Sequence, residues 1–380
     1  MPLEKALAGR SIPVNSPFID SFSLKIPLDS VQVLDQRLTS ETAIYYESLD
    51  AVDEELHPPK PIVISETGIT VRLSLVEIPI HNKKTNQKEP TKFVNLTVSA
   101  KLLKERYFEG INAFNISVLH QVFLDFKIFD CTLETFLDGM VSDVDIAINR
   151  YCPSPAVFLD ILKCLYSQAG SKSKHLKIFP DDTNLGLNFN ERHFAKPSLP
   201  FLKFYHKQLE LLHKSVDFNE TYLGEYQAQI QNLTRVEATI RNYDHKRRLE
   251  KYDIMPQFRS LRELLEVPKK NLYKFVVFSL ESYIEKKVRL KAPELSPSDH
   301  IIFELLQNCV LRGYDYDSLL SVVDTFKGSA KASEKVAKSR MRKKITELFD
   351  LLVMKDVKIL SQANHNSHVM EYLKFFGIRN

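Results

Sequence analysis

The chain has 380 residues, of which 44% are hydrophobic and 26% charged, with a formal net charge of +4. These values are typical of a globular protein with one large or two modest domains, and they exclude a fibrous or low-complexity chain. Since the sequence has neither a long apolar run nor the apolar core of a signal peptide, we expect a soluble, cytoplasmic protein without a membrane partner.

Six segments alternate apolar and polar residues and are rich in β-branched or aromatic side chains, which predicts strands. In chain order they are 21–28, 68–78, 92–99, 142–148, 200–211 and 233–242. Segments 112–129 and 153–168 have helical periodicity. The sequence therefore predicts an α+β fold: a domain over 20–250 in which an antiparallel or mixed sheet carries helices on one face.

From about residue 256 the pattern is almost wholly helical, which predicts a mainly helical C-terminal domain over 256–380. Two helices are predicted across 300–326, with a break at Arg312 and Gly313, and a third across 333–353. Its basic residues are candidate contacts to duplex DNA: Arg340, Arg342, Lys343 and Lys344. A solvated amphipathic helix is an equally open interpretation.

The predicted strands place polar groups on one face and apolar groups on the other. Those polar residues are Asp143 and Asp145 in the fourth strand, Lys203, Tyr205 and Lys207 in the fifth, and Arg235, Glu237 and Arg241 in the sixth. If these strands are neighbours, one face of the sheet carries carboxylates, cations and a tyrosine. A merely solvated face remains an alternative, because antiparallel sheets commonly expose one face to water.

The residue types on this face suit phosphoryl transfer. Asp145 and Glu237 carry oxygen ligands of the kind that a hard divalent ion prefers. Glu210 is a candidate third ligand, although its strand parity differs from that of Tyr205 unless a bulge or turn intervenes. Tyr205 would attack a phosphate polarised by the ion, and Lys207 would stabilise the developing charge.

Four short blocks around these residues resemble, in the same order, the Rep_trans superfamily, which includes initiators of staphylococcal rolling-circle plasmids and the gene II replication protein of filamentous phages. The blocks are VNLTVSAKLL (94–103), VSDVDIAIN (141–149), FLKFYHKQLEL (201–211) and LTRVEATIRN (233–242). The likeness covers roughly 20–250. This chain departs from the family pattern at Asn95, where a glutamate is common, at Lys203, where an arginine is frequent, and at Asp143, where a basic residue is usual.

The resemblance implies that Tyr205 is the nucleophile, Lys207 its basic neighbour, and Asp145, Glu237 and Glu210 the ligands of Mg²⁺ or Mn²⁺. It implies a rolling-circle replication initiator that nicks one DNA strand at the origin of a small circular replicon in a bacterial host. The enzyme would form a 5′-phosphotyrosine link and later rejoin the strand, and the chain has no GxxxxGK[ST] phosphate loop. A homodimer, a host helicase and a host polymerase are the further partners implied.

Three basic residues of the polar face, Lys203, Arg235 and Arg241, are candidate DNA contacts. Two other functions remain open. An origin-binding replication protein that does not nick would need the basic surfaces but not Tyr205. A structural or interaction protein would need neither.

Overall fold

A computed structural model of the chain describes residues 11–40, 45–46, 61–82, 87–169, 175–181, 183–241, 243–284, 296–311, 316–325, 331–360 and 371–377. The described residues form an α+β fold with a large sheet and helices. Two compact units divide the chain. The first comprises Met1–Pro155 and Lys177–Ser282, and the second comprises Ala156–Leu176 and Tyr283–Asn380.

The strands are β1 (Pro17–Pro27), β2 (Gln32–Val33), β3 (Tyr45–Tyr46), β4 (Ile62–Glu66), β5 (Ile69–Asn82), β6 (Gln87–Ser99), β7 (Phe129–Asp130), β8 (Met140–Tyr151), β9 (Lys177–Asp181), β10 (Asn184–Asn188), β11 (Phe201–His206) and β12 (Leu233–Ile240). The large sheet has the order β3-β5-β6-β1-β8-β12-β11-β10-β9, with β4 paired to β5. Its described pairs are antiparallel except for the short parallel pair of β3 and β5. The predicted antiparallel or mixed sheet is therefore confirmed.

The helices are α1 (Arg37–Ser40), α2 (Ile116–Asp125), α3 (Leu133–Asp138), α4 (Pro155–Ala169), α5 (Lys207–His213), α6 (Val216–Tyr222), α7 (Gln227–Ile230), α8 (Tyr243–Lys251), α9 (Leu261–Leu265), α10 (Lys269–Glu281), α11 (Pro297–Leu311), α12 (Tyr316–Asp324) and α13 (Lys331–Leu360). A 3-10 segment, Ala100–Glu109, follows β6. No helix among the described residues is both long enough and apolar enough to cross a membrane.

The apolar face of the central strands packs against α10, which contacts β1, β8, β11 and β12. The buried apolar residues of this sheet face come from alternate positions in each strand, such as Val144, Ile146 and Ile148 in β8. Burying one such side chain stabilises a fold by about 1.5–3 kcal/mol. The period-two pattern in the sequence correctly predicted these strands, because one face of each strand packs against apolar side chains and the other carries polar groups.

The predicted strand over 200–211 is wrong in its second half. β11 ends at His206, and Lys207 is the first residue of α5. Lys207 and Leu211 are both buried on this helix, a spacing of four residues that is helical and not strand-like. Glu210 was expected to reach the face of Tyr205 only if a bulge or turn intervened. The change from strand to helix after His206 is such a turn, because the alternation of side chains along a strand ends there.

The compact units divide at a different place from the boundary predicted near 250–256. The first unit continues to Ser282 because α9 contacts β8 and α10 packs on the sheet. In the second unit, α11 and α12 both contact α13. The predicted break at Arg312 and Gly313 lies outside the described residues, between α11 and α12.

Candidate active site on the polar face of the sheet

The register of the central strands places five of the eight predicted polar residues in three rows on one face. The first row is Tyr205, Arg235 and Asn149, the second is Lys203, Glu237 and Ala147, and the third is Phe201, Thr239 and Asp145. Residues directly opposite on neighbouring strands lie about 5 Å apart at Cβ, so diagonal neighbours can also touch. The rows therefore bring Tyr205 close to Glu237.

This face is largely buried, contrary to the solvated face that alternation alone allowed. Tyr205 is 5% exposed, and Arg235, Thr239 and Asn149 are 0% exposed. Burying charged groups costs free energy unless each is paired, so the pairings on this face define the candidate site.

Tyr205 and Glu237 form the centre of the site. The Tyr205 hydroxyl donates a hydrogen bond to Oε1 of Glu237. The Lys203 Nζ lies 3.8 Å from the centroid of the Tyr205 ring and 3.9 Å from Oε2 of Glu237. The phenol thus has a carboxylate as a proton acceptor and an ammonium group against its ring.

The charges around this pair set its protonation. Burial, followed by the charge of Glu237, raises the pKa of the Tyr205 phenol well above its ordinary value. Burial acts to raise the pKa of Glu237 as well, but the charges of Lys203 and Arg235 outweigh it and hold that pKa below its usual range. Glu237 is therefore ionised and accepts the hydrogen bond, while Tyr205 keeps its proton.

A chain of hydrogen bonds begins at Lys207, close to the tyrosine ring. The Lys207 Nζ, 5.6 Å from the Tyr205 ring centroid, donates to Oε2 of Glu210 at 2.6 Å. Ser215 donates to the other oxygen of Glu210 at 2.7 Å and accepts from the Lys101 Nζ at 2.8 Å. Burial acts to raise the pKa of Glu210, but Lys207 outweighs it and lowers the pKa to about 2.

The prediction that Arg235 contacts DNA requires correction. Its side chain is fully buried, and its Nε donates to Oδ1 of Asn149 at 2.8 Å. Its Nη1 donates to Asp20 at 2.9 Å and to the Tyr107 hydroxyl at 2.5 Å, and it lies 3.8 Å from Glu237. Arg235 is therefore a positioning residue, which holds Asp20, Asn149 and Tyr107.

Asp145 lies in the third row, with other partners. Its carboxylate accepts hydrogen bonds at 2.5 Å from the hydroxyls of Ser21 and Thr239. The Arg192 Nη2 lies 3.2 and 3.3 Å from its two oxygens. Arg241, a predicted DNA contact, lies next to Arg192 and donates a hydrogen bond to its carbonyl oxygen at 2.6 Å.

The three predicted metal ligands do not form a common ligand set. Glu237 is held by Tyr205 and Lys203, and both oxygens of Glu210 are taken by Lys207 and Ser215. Within the described part of the chain, no group of three or more His, Cys, Asp or Glu residues is arranged to hold a metal ion. In this arrangement the three carboxylates have separate partners, and binding of Mg²⁺ or Mn²⁺ by Asp145, Glu237 and Glu210 stays a prediction.

The four basic residues predicted in the C-terminal helix lie on α13, in the second unit. Arg340 and Lys343 are exposed. Arg342 forms an ion pair with Asp324, and Lys344 forms one with Asp299 at 2.6 Å. Two of the four cations are therefore engaged in packing α11 and α12 onto α13.

Several residues of the site were missed by the sequence analysis: Asp20, Lys101, Tyr107, Arg192 and Ser215. Lys101 lies within the block that resembles the family's strand-plus-lysine segment, which was an available signal. A register shift in the pairing of β1 with β8 falls between Ile19 and Ser21, at Asp20. Such an irregularity re-aims a side chain and has no signature in residue alternation.

No protein-family model, curated protein or solved structure matches this chain. The contacts of Tyr205, Glu237 and their neighbours and the resemblance of the four sequence blocks are the observations that bear on function.

Proposed function

We propose that the protein initiates rolling-circle replication by nicking and rejoining one DNA strand through Tyr205. The observation that carries this proposal is the hydrogen bond from the Tyr205 hydroxyl to Glu237, flanked by Lys203 and Lys207. A tyrosine paired with an ionised carboxylate and two ammonium groups is an arrangement suited to an activated nucleophile. The resemblance to the Rep_trans superfamily supplies the substrate, the origin of a small circular replicon.

In the proposed reaction, Glu237 accepts the phenolic proton as the Tyr205 oxygen attacks the scissile phosphorus. The bond between phosphorus and the 3′-oxygen breaks, which leaves a 5′-phosphotyrosine and a 3′-hydroxyl that carries the proton released from the tyrosine. Lys203 and Lys207 stabilise the negative charge that develops on the phenolic and phosphate oxygens. Rejoining is the reverse attack by a 3′-hydroxyl, and the phosphotyrosine bond conserves the energy needed for it.

The raised pKa of Tyr205 determines the protonation state of the phenol before the attack. The phenol stays protonated at neutral pH, so its proton must transfer to Glu237 as the attack proceeds. Because Tyr205 is 5% exposed, binding of the strand must also move a covering side chain. Lys203 is the candidate, since its side chain is 33% exposed and its ammonium group lies against the ring.

A second candidate function is an origin-binding replication protein that does not nick. The burial of Tyr205 and the separate pairing of the three carboxylates favour it, because a DNA-binding protein needs no accessible nucleophile. The basic residues exposed on α13, Arg340 and Lys343, would serve either function.

The two functions are separated by incubating the protein with supercoiled DNA of the replicon that encodes it, with Mg²⁺, with Mn²⁺ or with a chelator. Conversion to open circles by the wild type, and not by Tyr205→Phe, is the expected result. Tight binding without open circles in either metal would favour the second function. The chelator shows whether a divalent ion is needed, and size measurement of the complex tests the expected homodimer.

A further inference from the structure

We propose that the turn Arg192–Phe194, together with Arg241, binds single-stranded DNA and guides the strand across the Asp145 end of the polar face. This inference deepens the proposed function by assigning a binding surface for the strand that Tyr205 would cut. The partner is chosen by the chemistry of the turn: cations for a phosphate backbone and an exposed ring for an unpaired base.

The turn is attached to the sheet at two points. Arg192–Phe194 is a single 3-10 turn between β10 and β11. The Arg192 guanidinium reaches Asp145 at 3.2 Å, and Arg241 donates to the Arg192 carbonyl oxygen at 2.6 Å. The surface therefore has a defined position next to the candidate active site.

The turn presents aromatic surface to solvent. Phe194 is 47% exposed, and its ring centroid lies 4.2 Å from that of the exposed His193. An exposed phenyl ring costs free energy in water and offers a flat apolar face. Unpaired bases stack on such rings, whereas the bases of a duplex are already covered by their neighbours.

Two arginines of the surface are exposed enough to contact a phosphate backbone. The side chains of Arg192 and Arg241 are 52% and 34% exposed. Three acids lie near these cations: Asp145 is 3.2 Å from Arg192, Asp143 is 3.9 Å from Arg241, and Glu191 pairs with Lys177 at 2.8 Å. The surface therefore presents two arginines beside the exposed ring.

Arg192 is positioned to leave Asp145 and bind a phosphate instead. Its contacts to Asp145, at 3.2 and 3.3 Å, are longer than the usual 2.7–2.9 Å of a charge-assisted hydrogen bond. A phosphate offers the guanidinium a better bidentate partner. Asp145 would keep its two shorter bonds, from Ser21 and Thr239, when Arg192 turns to a phosphate.

The test uses fluorescence anisotropy with a labelled oligo-dT of about 12 nucleotides, the range of known single-strand sites, and a dA·dT duplex of the same length. We expect Phe194→Ala to weaken oligo-dT binding at least about fivefold, the lower end for loss of one stacked base. Phe114→Ala is the matched control, because Phe114 is 92% exposed in the turn that precedes α2. Phe194→Trp keeps an aromatic ring and should retain binding.

The salt dependence separates the role of Arg192 from that of Phe194. Arg192→Gln should lower the slope of log K against log salt by about 0.7 for one lost phosphate contact, while Phe194→Ala should leave that slope unchanged. Arg262→Gln is the matched control, since Arg262 pairs with two exposed carboxylates on α3.

Absence of oligo-dT binding by the wild type would overturn the proposal, as would equal binding of strand and duplex or equal effects of Phe194→Ala and Phe114→Ala. The nicking assay is independent of these measurements. If supercoiled DNA is bound but not cut while Phe194→Ala still weakens oligo-dT binding, the proposed function fails and this surface stands. If supercoiled DNA is cut and Phe194→Ala has no effect on oligo-dT binding, the proposed function stands and this surface is excluded.

Discussion

Gly186 in β10 lies directly opposite Tyr205 in β11. A Cβ atom at position 186 would stand 2.8 Å from the carbonyl oxygen of Phe204 and 3.0 Å from the Cβ of Tyr205. These separations are below ordinary van der Waals contact, so any larger residue at 186 must displace the backbone of β11. Tyr205, the candidate nucleophile, can therefore occupy its position only because residue 186 has no side chain.

We therefore predict that Gly186→Ala destabilises the protein by about 1–3 kcal/mol, the usual cost of forcing an extra methyl group into a packed site. Urea unfolding followed by circular dichroism measures the change. Gly224→Ala is the control, because nothing lies within 4 Å of a Cβ at that position. Equal stability of the two variants would show that β10 and β11 are farther apart than these separations require.

Replacing the buried guanidinium tests the positioning role of Arg235. Arg235→Met should cost about 3–5 kcal/mol of folding free energy, because it leaves the Asp20 carboxylate without its cation. Asp20→Asn in the same chain should recover part of that loss, and a double-mutant cycle from urea unfolding measures the coupling. A single variant as stable as the wild type would contradict the buried network.

Glu237→Gln tests the proton acceptor. We expect nicking to slow by about 10²–10⁴-fold, the usual contribution of a general base, because the amide still accepts a hydrogen bond but cannot take the proton. Oligo-dT binding should change little. Glu225→Gln replaces an exposed glutamate and serves as the control, and a Glu237→Gln protein that nicks at the wild-type rate would exclude this role.

Stability should fall as the pH drops from about 7 to about 5. Burial lowers the pKa of both His206 and His245 to about 4, whereas an unfolded histidine titrates near 6.5. Between these values the unfolded state binds more protons, so stability present above pH 6.5 is lost as the pH falls toward 4, by at most about 3 kcal/mol per histidine. Glu210 changes stability in the same direction, but only below its ordinary pKa of 4.5.

Urea unfolding at about pH 7 and about pH 5 measures this loss, within the titration window of histidine. The double variant His206→Gln, His245→Gln should show a smaller difference between the two pH values. His193→Gln, which changes an exposed histidine, should behave like the wild type. An unchanged pH dependence in the double variant would mean that other groups cause the loss.

The faces of individual strands could be predicted from the sequence. The alternation in β8 and β12 correctly placed Asp145 and Glu237 opposite the apolar residues, because each strand face contacts one environment along its whole length. The α+β class followed from the same periodicities.

The partners of those polar residues could not be predicted in this way. Ser215 bonds to Lys101, 114 residues away along the chain, and Arg235 bonds to Asp20, 215 residues away. Such pairings depend on strand order and on which loops cover the sheet, and neither is encoded in local periodicity. Lys207 was assigned to a strand, yet it is the first residue of α5, and its Nζ lies 5.6 Å from the centroid of the Tyr205 ring.

The most direct test of the central claim is to locate the covalent bond to DNA. A single-stranded oligonucleotide spanning the nick region of the replicon, labelled at its 3′ end, is incubated with the protein, and the labelled peptide is sequenced by mass spectrometry. We predict a 5′-phosphotyrosine at Tyr205 that is absent from Tyr205→Phe and present in Tyr222→Phe. Label on a different tyrosine, or label that persists in Tyr205→Phe, would contradict the assignment of Tyr205 as the nucleophile.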